Sequence, residues 1–158
     1  MAEENVEKLV KKARINCIKE YYKKCPYIDE LAKINVDYLN VDGKNMDYWS
    51  LEQNEPIIIK KNVLGEEIER KLTFTLAVRS FFNPLDDTNN ISNLNILENI
   101  AEWTRVQNKA KNRPLLNKNE YATSIRIIKG PYLFGLDKSM TMARYELQGE
   151  LIYEKRYE

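Results

Sequence analysis

The sequence predicts an α+β fold, a mainly antiparallel twisted sheet flanked by two helices. Three patterns predict it. Apolar and polar residues alternate from Ile68 to Phe82, and the same period of two returns from Ala143 to Tyr153, as strands with one buried face require. Between residues 3 and 24, Val6, Leu9, Val10, Ala13, Cys17 and Tyr21 recur instead at three-four spacing, the stripe of a helix packed on a core. At 158 residues the chain has the size of one domain. No repeat, low-complexity tract or linker divides it, so residues 1–158 read as a single unit.

In the first helix, residues 3–24, Lys8, Lys11, Lys12, Lys19, Lys23 and Lys24 fall mostly off the apolar stripe. They form either a basic face for an acidic partner or phosphates, or a solvated surface. Pro26 stops the helix, because it lacks an N–H and pushes Cys25 out of the helical region. Residues 34–39 then suit a short strand, closed by the turn signal Asp42-Gly43. Tyr48-Trp49-Ser50-Leu51 and Ile57-Ile58-Ile59 are two further strand candidates, and residues 64–67 suit a hairpin turn.

The long alternation follows. Ile68, Leu72, Phe74, Leu76, Val78 and Phe82 share one face, while Glu69, Lys71, Thr73, Thr75 and Arg79 share the other. Residues 83–93 are polar and predict a loop longer than most connections. Ser92 is placed to cap a second helix, residues 94–109, with Leu97, Ile100, Ala101 and Thr104 inward and Trp103 beside them. Asn112-Arg113-Pro114 ends it. Residues 124–129 are strand-like, Gly130-Pro131 breaks or bends the strand, and Tyr132-Leu133-Phe134 resumes it. In the last strand Tyr145, Leu147, Leu151 and Tyr153 share one face, with Arg144, Glu146, Gln148 and Glu150 on the other. The sum is a sheet with one polar face, backed by two helices.

Composition narrows function mostly by exclusion. Apolar residues make up 43% and charged residues 31%, too apolar for a disordered chain. A net charge of +1, from 25 basic and 24 acidic side chains, argues against a dedicated duplex-DNA binder and permits copies to approach one another. No apolar run reaches the roughly 20 residues that cross a bilayer, so no membrane is expected. The start, Met1-Ala2-Glu3-Glu4, is unlike a secretion signal, and the chain is expected to stay in the cytoplasm. Cys17 and Cys25 have the spacing for a disulfide, but in a reducing cytosol they read as small hydrophobes.

There is no histidine, which removes histidine-based triads, Cys–His dyads and the commonest metal ligand. The five glycines form no phosphate cradle. The pairs Glu66-Glu67 and Asp86-Asp87 are adjacent, and neighbours on a strand point to opposite faces. No catalytic, cofactor-binding or metal-ligating residue is therefore assigned, and the chain is not expected to be an enzyme. Residues 14–24 interleave basic and aromatic side chains, and Trp49, Tyr132 and Phe134 have faces for base stacking, but these do not gather on one predicted surface. What remains is recognition by shape. The edges of a long, alternating sheet need managing, and pairing identical subunits around a ring is one way. The polar faces then meet either a channel, a neighbour or water.

Seven short segments carry a likeness to a known family. They are Cys25-Pro26-Tyr27, Ile34-Asn35-Val36-Asp37-Tyr38-Leu39, Tyr48-Trp49-Ser50-Leu51-Glu52, Leu76-Ala77-Val78-Arg79-Ser80, Ala101-Glu102-Trp103, Gly130-Pro131-Tyr132-Leu133-Phe134 and Ala143-Arg144-Tyr145-Glu146-Leu147-Gln148. In this order, over about residues 20–154, they resemble the tail terminators of long-tailed phages of Gram-positive bacteria, proteins often labelled minor capsid or minor tail proteins. The resemblance implies an α+β fold that assembles as a ring, with six subunits, on the head-proximal end of the tail tube. Such a ring stops tube polymerisation, docks the head connector or stopper, and leaves a bore for DNA without reading its sequence. It implies a virion location, no enzyme activity and no cofactor. The tube protein and head connector are the expected partners, with a sheath protein if the tail contracts. A head–tail stopper ring is the alternative, and a single-stranded nucleic-acid binder a further one. Aromatic residues and arginines are the usual interface anchors, which singles out Trp49, Arg79, Phe81, Asp86, Asp87, Tyr132 and Arg144 as candidate contacts. Phe81 is included because it lies opposite the apolar face of its strand.

Overall fold

A computed structural model of the chain describes residues 12–28, 34–37, 48–85 and 87–157. Among the described residues it is α+β, with six strands in one mostly antiparallel sheet and two helices, as the alternation and spacing predict. In chain order the elements are α1 (Arg14–Tyr22), β1 (Ile34–Val36), β2 (Tyr48–Gln53), β3 (Ile57–Lys61), β4 (Glu67–Phe81), α2 (Thr88–Lys109), β5 (Glu120–Leu136) and β6 (Met142–Lys155). Of the predicted first helix, residues 1–11 lie outside the described residues, as does the Asp42-Gly43 turn.

The sheet runs β1-β2-β4-β6-β5, with β1 parallel to β2 and the other pairs antiparallel. Strand β3 continues the line of β2 along the same side of β4, pairing Ile57 with Lys71 and Ile58 with Arg70. The turn between β3 and β4 is built by Asn62, whose side-chain oxygen accepts from the N–H groups of Leu64 and Glu66, and Gly65 supplies the left-handed φ of 81°.

Register sorts the residues of β4 and β6 into the two predicted faces. Leu72, Phe74, Leu76 and Val78 stand opposite Leu151, Gly149, Leu147 and Tyr145, and both helices pack on this side. The ring of Tyr22 on α1 lies 6.0 Å from Phe74 and 5.9 Å from Trp103 on α2, so one aromatic cluster joins helix, helix and sheet. Leu97, Ile100 and Thr104 are buried as predicted. The Thr104 hydroxyl donates to the Ile100 carbonyl at 2.9 Å, which leaves its oxygen to accept from the buried Tyr22 hydroxyl at 3.0 Å. At the core's margin Arg14 pairs with the buried Glu120 and lies 5.6 Å from the Tyr153 ring.

One expectation is corrected. The predicted loop of residues 83–93 is mostly helix, because α2 begins at Thr88, and Ser92 is an exposed residue within it, not its cap. Thr88, Asn89, Asn90, Ser92 and Asn93 are weak helix formers, and tertiary contacts override them. Asn90 donates to the Asn83 carbonyl at 3.3 Å, and Ser80 donates to Asn93 at 3.1 Å. Asn93 also hydrogen-bonds the Tyr145 side chain, fastening the first turns of α2 to the sheet.

Candidate functional site

The face of the sheet away from the helices carries the alternate residues of each strand. One cross-strand row passes through all five main strands, Asn35–Ser50–Ala77–Glu146–Tyr132. The first four of these are buried. Polar residues at every second position ordinarily mark a wet face, yet Glu146 is only 4% exposed and Glu150 only 5%. An ion-pair network built from separate strands closes over them.

Arg144 is its centre. Its Nε donates to Glu146 at 2.8 Å, and a terminal guanidinium nitrogen reaches Glu52 at 2.8 Å. Glu52 lies on β2 and Arg144 on β6, so this bridge crosses β4, and it does so over Ala77, whose lack of a longer side chain leaves the passage open. The fixed fork of a guanidinium suits two carboxylates held at an angle, which a lysine could not serve. The other oxygen of Glu146 accepts from the Tyr132 hydroxyl at 2.6 Å, and that hydroxyl accepts from Gln148 at 3.0 Å. Burial, and then the neighbouring Glu146 carboxylate, pushes the Tyr132 phenol above its ordinary pKa. Burial alone would lower Arg144, but its bonds to Glu52 and Glu146 outweigh that and raise it. Arg126 and Lys71 treat Glu150 in the same way, from β5 and β4.

Gly130 makes the Tyr132 contact possible. Its φ of 101° is left-handed, and a Cβ there would stand 2.7 Å from the Glu146 carbonyl oxygen. Strand β5 thereby runs through the Gly130–Pro131 step that the sequence marks as a break, with register shifts on either side. Beyond it Phe134, an exposed residue, lies 5.3 Å from the Arg144 guanidinium.

The predicted contact residues fall in different places. Arg79, Tyr132 and Arg144 come together on this face, with Arg79 directly opposite Arg144 and 3.9 Å from Asp137. Trp49 does not join them. It stands opposite Val78 on the helix-covered face, 4% exposed, and packs the core, so it offers no surface to a partner. Phe81 ends β4 opposite Met142, and its side chain lies outside the described residues. Asp86 also lies outside them. Asp87 is exposed just before α2, where its carbonyl accepts from Ile91. Glu52, Glu146 and Ala77 complete the network, and spacing gave no sign of their joint role.

What the arrangement does chemically is hold shape. Every carboxylate in the Arg144 cluster has a donor, and the cluster leaves no unpaired acid or base aimed into a cavity. Among the described residues no group of three acidic, cysteine or histidine side chains is placed to hold a metal ion. Both cysteines are buried, and burial raises their thiol pKa values, which disfavours the reactive thiolate. An open groove of about 570 Å³ lies at the opposite end of the sheet between β3, β4 and residues 154–157. Three cations, Lys60, Lys155 and Arg156, line it with three carboxylates, Glu66, Glu69 and Glu154. Among the described residues no helix is long and apolar enough to cross a membrane. No protein-family model matches the chain, and no curated protein matches it.

Proposed function

We propose that this chain is a structural phage morphogenesis protein, a tail terminator whose ring caps the tail tube and docks it to the head connector. One observation carries the reading furthest. Five of the seven segments that resemble the family lie far apart in sequence, yet each contributes one residue to the single row Asn35–Ser50–Ala77–Glu146–Tyr132. The α+β fold that the resemblance implies is also the fold of the chain.

The mechanism that follows is rigid presentation of a surface. The Arg144 cluster stiffens the end of the sheet where β2, β4, β5 and β6 meet, and Phe134 and Arg79 stand at its border. In the ring this end meets a neighbour or the tube, and DNA passes without base-specific contact. No catalysis or cofactor is involved.

A second reading, single-stranded nucleic-acid binding, has one observation in its favour. Arg156 lies 4.5 Å from the Tyr121 ring and Lys155 lies 5.2 Å from the Tyr157 ring, a gathering of cations and aromatics that the sequence did not place on one surface. The equal number of carboxylates in the adjoining groove sets it second.

Electron microscopy of lysates from the parent phage or prophage lacking this gene tests the proposal. Tails of abnormal, variable length beside unjoined heads are the expected result. Tails of normal length beside unjoined heads assign the chain to the head side, as a stopper, and intact particles overturn the morphogenetic reading.

A further inference from the structure

Strand β3 is the most exposed apolar element among the described residues. Ile57, Ile58 and Ile59 are 49%, 45% and 46% exposed, so neither face of the strand is covered. One edge pairs with β4, and among the described residues no strand pairs with the other. The adjoining turn adds Val63 and Leu64, both almost fully exposed. An apolar edge of this kind is a template for strand addition.

The flanking charges say what the added strand is. The segment reads Glu55-Pro56-Ile57-Ile58-Ile59-Lys60-Lys61, acidic at its start, basic at its end and apolar between, with Glu55, Lys60 and Lys61 all exposed. An antiparallel pairing of this segment with itself, centred on Ile58, sets Ile58 against Ile58, Ile57 against Ile59 and Glu55 against Lys61. It is thus self-complementary in charge as well as in polarity, and the two-fold symmetry produces the Glu55–Lys61 apposition twice. Lysines and a proline on an edge strand often serve to keep partners away. Here they stand at the ends of the segment, and the acid that would neutralise Lys61 is part of the same segment.

We propose that β3 is a self-association surface, and that its occupant is β3 of a second copy of this chain in antiparallel, two-fold pairing. The contact is short, because Pro56 has no N–H to extend the ladder and the register of β3 shifts after Ile58. A weak, concentration-dependent dimer in roughly the micromolar to hundred-micromolar range is expected of so small an interface. This surface is separate from the Arg144 cluster and does not depend on the tail-terminator reading.

Sedimentation equilibrium of the full chain tests it, together with Ile58→Lys, Glu55→Lys and the double variant E55K/K61E. None of these touches the core, so circular dichroism and melting temperature should stay unchanged. Ile58→Lys places like charges on the two-fold axis and should leave only monomer. Glu55→Lys should weaken the dimer about tenfold, since two Glu–Lys appositions become Lys–Lys, and E55K/K61E should restore it. A chain that stays monomeric up to about 1 mM overturns the proposal. So does association that Ile58→Lys leaves intact; if that association is a larger ring, the tail-terminator reading stands while β3 pairing falls. Failure of the charge reversal to rescue the dimer overturns the antiparallel register.

Discussion

Arg79 on β4 and Arg144 on β6 stand directly opposite one another, two like charges in a cross-strand pair. Such an apposition is destabilising unless each charge is answered. Arg144 is answered at 2.8 Å by both Glu52 and Glu146, and Arg79 by Asp137 at 3.9 Å. The two arginines thus draw three carboxylates from β2, β6 and the β5–β6 turn to one end of the sheet. In the ring proposed above, such rigidity would hold the shape that this end of the sheet presents to a neighbouring subunit.

The pair is asymmetric, and substitution should expose it. Arg144→Met removes a donor from Glu146, which is 4% exposed, and releases the bridge to Glu52. Leaving a buried carboxylate short of its partner should cost about 2–3 kcal/mol, even though it relieves repulsion with Arg79. Arg79→Met should cost less, because Asp137 is more exposed than Glu146 and more distant. Urea denaturation of both variants checks the ranking; equal losses would mean that the network is not centred on Arg144.

Asp137 gives the fold an acid-sensitive element. Burial works to raise its pKa, but the N–H groups of Met142 and Thr141 and the hydroxyls of Ser139 and Thr141 outweigh it and hold the carboxyl below the usual aspartate range. A depressed folded pKa means that the folded chain binds this proton less readily than the unfolded chain does. The stabilisation is therefore fully present above about pH 4 and is lost as pH falls through the folded value. Asp137→Asn should flatten the dependence of stability on pH below about pH 4 and leave its course near neutrality unchanged. Melting curves across that range decide it.

Much of this was legible in the sequence. Period-two patterning assigned the faces of β4 and β6 correctly, since a one-residue slip would have turned every apolar side chain outward. What the pattern could not convey is where long side chains reach. Glu146 and Glu150 alternate as solvent-facing residues do, and they are buried only because Arg144, Tyr132, Arg126 and Lys71 fold over them, three of the four from other strands. Gly149 interrupts the apolar positions of β6 between Leu147 and Leu151, yet it belongs to the core: a Cβ there would lie 2.4 Å from the Phe74 ring, which occupies that space. The start of α2 was illegible for a related reason: its polar side chains bond to Asn83, Ser80 and Tyr145, distant partners that local propensity does not register. Among the candidate contacts, Trp49 was misplaced because an aromatic at a strand position suits a core and an interface equally.

The packing against Gly149 yields a direct expectation. Gly149→Ala forces the Phe74 ring to shift inside a full core and should destabilise the chain by about 1–3 kcal/mol, as overpacking does. In the double variant with Phe74→Leu the second site should absorb part of that strain, so the double variant should lose less than the sum of the two single losses. Full additivity in denaturant unfolding would show that the ring already moves aside freely.

The bond between Tyr22 and Thr104 makes the join of the two helices testable. Tyr22 is fully buried, and burial raises its phenol, so it stays protonated and has a proton to donate. Thr104 is its acceptor, and the Thr104 hydroxyl proton is already committed to the Ile100 carbonyl. Thr104→Val keeps the shape but strands the Tyr22 hydroxyl away from water, at a cost of about 1–3 kcal/mol. Tyr22→Phe should cost less, because Thr104 keeps its bond to Ile100 and only an acceptor lone pair goes unused. With both changes made, no phenol remains to be satisfied, so the double variant should be more stable than Thr104→Val alone. A double-mutant cycle in urea measures this coupling. A double variant less stable than Thr104→Val alone would mean that the pair does not hold α1 to α2, and that the aromatic stacking of Tyr22 on Trp103 and Phe74 does so without it.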